Sequence, residues 1–451
     1  MTEPGETSFT RAAFAAALAA LALAGAISAS YGPLLRPVTD RFGVSLPVAG
    51  TLISINFAGG LVGTLGALAG FTRAPRRPIA TFALGVLGLG CLSIAAARAW
   101  PELAIGVFLT GIGFGATDFS LNQMAAQSGA GRAVRLTLLN AAFGTGAVLG
   151  PAIIGWLGLR ALTVGFAVAA GWAWVMAAGV LGITTSVPAG GGRAGSADGG
   201  AGAGADGEPG RPRWRRVRRR RVRRRRVGQR RVGQRRLRRR RLRRRRLRRP
   251  SWVVAGVALA FLLYVACEAS VAGWIPAHLV ALGYRSRLAT AATSGFWAAM
   301  VIGRLVTVPL SRAVAASRIV LAACPLLTLA LALAAVRPIA PGCYVAAGFI
   351  AAPIWPIGLD WVVATFPGHR SATSWALVAA FAGGIAGPAT VAGVVSIAGV
   401  HAVPAVLTAF AGATTLAFLA IWQTGRRLVR TPPSRPTPPS TGCGQGAPGT
   451  V

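Results

Sequence analysis

The sequence predicts an all-α polytopic membrane protein, with twelve transmembrane helices in two six-helix, pseudo-symmetric halves. Three observations predict it. The chain of 451 residues is 54% hydrophobic and only 13% charged, and that charge is about half of what a soluble domain carries. Its apolar residues fall into twelve segments, six before a long polar stretch and six after it. The two sets also look related. A shift of 240 residues places Ser30 on Ser270, Gly43 on Gly283 and Gly63 on Gly303. AAFGTGAVLGP (141–151) resembles AAFAGGIAGP (379–388) at a shift of 237–238. A nearly constant offset is the mark of a parallel repeat.

The segments are 12–35, 46–70, 78–98, 101–127, 136–158, 161–183, 251–279, 289–313, 317–336, 340–364, 372–397 and 402–423. At a helical rise of about 1.5 Å per residue each is long enough to cross about 30 Å of hydrocarbon. The first run has no convincing cleavage site and reads as a retained span rather than a signal peptide. Arginine placement sets the orientation. Thirteen arginines flank the spans on the side of the N-terminus and seven on the other, outside the central insert. By the positive-inside rule both termini are expected in the cytoplasm and the protein in the inner (plasma) membrane.

The expected domains are a six-helix half at 1–183, a cytoplasmic linker at 184–250, a second half at 251–423 and a disordered cytoplasmic tail at 424–451. The linker opens Gly/Ala-rich and continues into 211–249, where 26 of 39 residues are Arg. Val217, Val222, Val227, Val232, Leu237, Leu242 and Leu247 recur there every five residues, a period that lays no continuous apolar stripe on a helix. A solvated low-complexity loop is the first reading. Binding to anionic lipid headgroups is the second. Nucleic acid is not an expected partner, because no binding module accompanies the charge. Every basic residue is Arg, which fits a GC-rich genome and makes part of the net charge of +38 a matter of codon usage.

The five cysteines are scattered, without a CxxC pair, so neither a disulfide framework nor a zinc site is implied. The three histidines sit near span ends, and no metal or other cofactor is expected. No Ser/His/Asp or Cys/His constellation supports hydrolytic chemistry, so an enzyme is not expected.

Only three of the ten acidic residues fall inside spans: Asp118, Glu268 and Asp360. Desolvation penalises the charged form of a carboxylate, so such a group can exchange protons near neutral pH. Asp118 sits in GIGFGATDFSLNQ with Asn122 at i+4 on the same helix face. This makes it the first candidate for proton coupling, with Glu268 next. Asp360 lies near the end of span 10, opposite Asn122 under the repeat shift. For each carboxylate the structural alternative is a helix–helix hydrogen bond. Trp274 reads as an interfacial anchor or as a stacking face for a sugar. Asn56 and Asn140 are polar residues inside spans 2 and 5 that read as solute contacts or interhelical glue. Arg304, inside span 8, needs a partner, in a gate or in the structure. The stretch Tyr264–Arg304 therefore carries both a membrane-embedded acid and a membrane-embedded base.

YVACEASVAGWIPAHL followed by GFWAAMVIGR, with TDFSLNQ, FGTGAVLGP and APIWP in support, resembles the major facilitator superfamily, and within it the fucose/glucose–proton symporter type. The resemblance covers both halves. It implies alternating access around a central site between the halves, a small solute (sugar-like favoured) and a coupled proton, with Asp118 and Asn122 matching the span 4 spacing of the fucose carriers. Two departures stand out. Span 1 lacks the carboxylate of that group and has Ser28, Ser30 and Tyr31. The loop between spans 2 and 3, GFTRAPRR, keeps Gly70, Arg76 and Arg77 but no Asp, which weakens its expected latch. The expected protein is a monomeric, proton-coupled uptake carrier. The alternatives are an efflux carrier for drugs or metabolites, and a non-transporting sensor or anchor working through the Arg-rich loop.

Overall fold

The computed structural model describes residues 7–71, 76–129, 131–181, 184–185, 251–366 and 372–430. Twelve main helical elements run through them. The N-terminal half holds α1 (Arg11–Phe42), α2 (Leu46–Gly70), α3 (Arg76–Ala96), α4 (Trp100–Ala126), α5 (Arg132–Leu157) and α6 (Val164–Val180). The C-terminal half holds α7 (Ser251–Ala281), α8 (Ser286–Ala313), α9 (Ala316–Leu333), α10 in two pieces (Ala340–Ala351 and Ile354–Thr365), α11 (Ala372–Ala398) and α12 (Val403–Arg430). Eleven of these are long and apolar enough to span a bilayer. The exception, α6, has 17 residues, about 26 Å of helix, and a 3-10 turn at Gly158–Ala161 stands before it. Thr7–Ser8 pairs antiparallel with Thr184–Thr185, which puts the entry of α1 and the exit of α6 on one side, as an even number of crossings requires. The expected Arg-rich run at 211–249 lies outside the described residues.

Large apolar side chains stand outward around the bundle, Trp156 at 81% and Ile397 at 90% exposure among them. A band of that extent matches hydrocarbon as its solvent. With lipid as apolar as any side chain, helices associate by close van der Waals contact rather than by a hydrophobic drive. Small residues supply that contact at repeat-related places. In α5, Gly146 lies on the carbonyl of Ala22 and Gly150 on that of Ala26. In α11, Gly383 lies on the carbonyl of Leu262 and Gly387 on that of Ala266. Leu262 and Ala266 are Ala22 and Ala26 shifted by 240, while the glycines are shifted by 237. A Cβ at any of the four would overlap backbone.

The same correspondence holds for the whole packing scheme. α1 packs on α5 and α6 as α7 packs on α11 and α12; α3 packs on α4 and α6 as α9 packs on α10 and α12; α2 packs on α4 as α8 packs on α10. The halves meet through α2 with α11 and α5 with α8, a mutually equivalent pair of contacts, and through α1 with α7.

Several boundaries differ from those expected by a few residues, and three larger differences have a local reason. α1 continues to Phe42 through Pro33 and Pro37, since neighbouring helices in a membrane bundle accommodate the freed backbone groups. α10 breaks at Ala352–Pro353, and Pro356 stands in the first turn of its second piece; two prolines so close remove two N–H donors and crowd the preceding turn. α12 runs seven residues past the expected limit of 423, to Arg430. There Arg426 lies over the Trp422 ring at 4.6 Å and Gly425 rests on Thr365 at the end of α10, so residues 424–430 are helix rather than tail.

The glycine contacts make a direct prediction. Gly146→Ala, which must overlap the Ala22 carbonyl, should destabilise the protein by about 1–3 kcal/mol, as overpacking typically does. Gly171→Ala, in open space on α6, should leave the melting temperature in detergent unchanged. Equal melting of the two variants would contradict the packing scheme.

Candidate functional site

A cavity of about 200 Å³ lies between the halves. The N-terminal half contributes walls from α1, α2, α4 and α5, and the C-terminal half contributes α7 and α8. The lining follows the internal repeat. Ser28 faces Glu268, Ala29 faces Ala269, Gly32 faces Ala272 and Phe57 faces Trp297 in the sense of the 240-residue shift, and all eight line the cavity. The pseudo-twofold relation of the fold therefore passes through the site. The charges break it. Glu268 has Ser28 as its counterpart, and Arg304 has Thr64, which is buried and donates its hydroxyl to the Gly115 carbonyl.

Glu268 lies 17 residues after the start of α7 and 13 before its end, about 26 Å and about 20 Å along the helix, hence deep in the membrane. Its polar surroundings are Tyr264, one turn back on α7, and Arg304 from α8. Tyr264 donates its hydroxyl to the carbonyl of Ala351 at 3.1 Å, the last residue before the break in α10. That break thus anchors the aromatic ring that stands beside the carboxylate. Arg304 is half-buried, and its one hydrogen bond among the described residues is to Met300 Sδ, at 3.5 Å. Both charged residues line the cavity.

On the other half, Tyr31 and Asn56 line the cavity but are already engaged. Thr110 Oγ1 donates to the Val107 carbonyl at 2.7 Å. Tyr31 Oη then donates to Thr110 Oγ1 at 2.7 Å. Asn56 Nδ2 donates to Tyr31 Oη at 3.2 Å and lies 3.3 Å from Thr110 Oγ1. The network ties α1, α2 and α4 into one block and holds Tyr31 at the cavity wall. The remaining wall is apolar and aromatic: Ile53, Phe57, Phe114, Phe143, Val265 and Trp297.

The cavity is sealed at the end where α1 and α7 finish. Gly32 meets the carbonyls of Ala272 and Gly273, Ile53 fills the space at Gly273, and the Trp274 indole fills the space at Gly50. No comparable packing joins α4 to α10 among the described residues. Asp118 lies one turn beyond the lining residue Phe114, toward the α4–α5 connection, with Asn122 one turn further. Asn122 Nδ2 donates to Asp118 Oδ1 at 2.9 Å and to the Asp118 carbonyl at 3.0 Å.

The sequence-derived candidates thus separate. Glu268, Arg304 and Asn56 come together at the cavity. Asp118 and Asn122 form a local pair outside its lining, and Arg304 acts on Glu268 instead of Asp118. Trp274 is fully buried as a packing plug between α7 and α2, which makes it neither an interfacial anchor nor a stacking face in the cavity. Asn140 is exposed on α5 and donates to the Leu136 carbonyl at 2.8 Å. Asp360 is exposed on the second piece of α10. Arg76 lies over the Phe71 ring at 5.8 Å, beside Arg77 at the start of α3. The aromatic walls Phe57, Phe114 and Phe143 were not singled out in the sequence, and Trp297 entered only within the motif GFWAAMVIGR. The repeat shift that pairs Phe57 with Trp297 was the signal that could have found two of them.

The model of the Major Facilitator Superfamily matches residues 15–342. The chain belongs to the major facilitator superfamily. Its transport class follows: a multi-pass membrane transporter of small solutes rather than an enzyme. Solved structures of similar shape include a D-xylose–proton symporter (TM-score 0.63, 14% identity, covering 92% of this chain and 98% of that one). A peptide transporter in complex with alafosfalin has TM-score 0.65 at 14% identity, with 92% and 94% covered. A nucleoside transporter has TM-score 0.60 at 11% identity, with 90% and 100% covered. At such identities the likeness is one of fold. No curated protein matches the chain by sequence.

Proposed function

We propose that this transporter is a proton-coupled carrier that takes up one small solute at a time by alternating access around the cavity between its halves. The observation that carries the reading is the placement of Glu268 and Arg304 on that cavity, at the depth where a rocking motion of the halves exposes the site first to one side and then to the other. Glu268 is the coupling carboxylate. Empty, the site balances the carboxylate against Arg304; a proton on Glu268 removes that balance and lets Arg304 turn to the solute. Asp118 and Asn122, one and two turns beyond Phe114, lie on the path by which a proton or solute leaves. The sealed end is the outer one and the chain termini are cytoplasmic, as the arginine asymmetry supports.

A sugar-like solute is a second reading. It is favoured by the resemblance to the fucose/glucose–proton symporter type and by the Trp297 ring on the cavity wall, which could stack on a pyranose face.

Two measurements test the proposal. An exposed cysteine at the α1–α2 turn, Ser45→Cys in a background without native cysteines, should react with an impermeant thiol reagent added outside intact cells; reaction only after permeabilisation would reverse the topology. In proteoliposomes with an imposed pH gradient, Glu268→Gln should abolish gradient-driven accumulation while solute exchange persists, and Asp118→Asn should slow accumulation without abolishing it. Full accumulation by Glu268→Gln, or equal loss of accumulation and exchange, would remove Glu268 from the coupling role.

A further inference from the structure

We infer that the solute is a small organic acid with an apolar or aromatic body, its carboxylate held by Arg304 and its body against Trp297, Phe57 and Phe143. The inference rests on the reading of the cavity as the transport site.

Size comes first. An apolar cavity of about 150 Å³ holds a benzene molecule, so about 200 Å³ takes one six-membered ring with a small substituent. Ring size alone admits both a sugar and an aromatic acid. The lining decides between them. A sugar carries a hydroxyl on nearly every carbon, and each one buried without a partner is costly. Beside Glu268 and Arg304 the cavity offers few polar side chains, because the Tyr31 hydroxyl and the Asn56 Nδ2 bond to one another and to Thr110. Aromatic and aliphatic side chains make up most of the rest. They suit an apolar body.

Arg304 supplies the headgroup. A guanidinium presents several N–H donors in a planar fork that matches a carboxylate bidentately. Among the described residues, those of Arg304 meet only the Met300 thioether. Ser28 and Trp297 also line the cavity, and Ser28 Oγ and Trp297 Nε1 are buried without a hydrogen-bond partner. The titratable and charged groups around Glu268 are Tyr264 and Cys267 on its own helix and Arg304 from α8. Arg304 is the only cation in that group. When the solute carboxylate becomes the counter-ion of Arg304, Glu268 would stand as an uncompensated charge in the membrane unless it takes a proton. The loaded site then holds one anion, one guanidinium and one neutral carboxylic acid. One proton accompanies each acid, and the cavity is neutral both empty and full.

Binding to the purified full-length protein tests this. Benzoate and phenylacetate should raise the melting temperature in detergent saturably. Benzamide and phenylacetamide, of the same shape without charge, should bind about tenfold or more weakly, the range expected when a charge-assisted hydrogen bond is lost. Arg304→Gln should lose that preference for acid over amide, and Arg304→Lys should keep part of it. The acid–amide comparison on the unmodified protein needs no variant to fold. Amides binding as tightly as acids, D-glucose or L-fucose stabilising where no acid does, or no acid binding at all would each overturn the inference. Acid binding with transport that moves no protons would instead sink the coupling proposal and leave the solute class standing. Proton-driven sugar uptake without acid binding would do the reverse.

Discussion

Two opposite charges in one small cavity, deep inside a membrane, constrain the rest of the structure. An ionised side chain at the bilayer centre costs at least about 2.5–3.5 kcal/mol even on the lenient insertion scales. Glu268 and Arg304 are tolerated because they face a cavity and act on each other. That arrangement has to be held without a hydrophobic drive between helices. Tyr264 is fixed beside Glu268 by a carbonyl at the break in α10. On the other half, a hydrogen-bonded block of Tyr31, Asn56 and Thr110 makes the facing wall rigid. Removing either group would leave the other without its counterpart at the cavity, so the proposed mechanism treats the two as one unit.

The fold supplies two nearly equivalent halves, and the chemistry sits where they cease to be equivalent. Helix contacts, glycine seats and four pairs of lining residues obey the repeat. Glu268 and Arg304 replace Ser28 and Thr64 of the other half. The interfaces of α2 with α11 and of α5 with α8 are equivalent under the repeat, which suits the proposed rocking about the cavity. In the proposed mechanism the asymmetric pair is what couples that motion to a proton.

Much of the fold was legible in the sequence, because a membrane span is written in length and hydropathy and a repeat is written in a constant offset. Less was legible where local chemistry decides. Prolines read alike on paper, yet Pro33 and Pro37 sit inside α1 while Pro353 breaks α10; which outcome holds depends on neighbours that a sequence does not display. The charged part of the candidate site was visible, since Glu268 and Arg304 are rare residues in an apolar background. The aromatic part was hidden, because Phe57, Phe114 and Phe143 look like any lipid-facing phenylalanine. Trp274 misled for the same reason: its place against Gly50 is set by a helix crossing, and a tryptophan near a span end is otherwise an interfacial residue. Asp118 drew attention through its spacing to Asn122, and that spacing made a local hydrogen bond rather than a cavity contact.

The central claim is that proton and solute share one cavity through Glu268 and Arg304. The most direct measurement is the lumenal pH of proteoliposomes loaded with a fluorescent pH indicator, with no gradient imposed and a solute that the protein binds added outside. The account predicts that solute entry acidifies the lumen in the native protein and that Glu268→Gln admits solute with no pH change. Solute entry at constant lumenal pH in the native protein, or undiminished acidification in the variant, would contradict it.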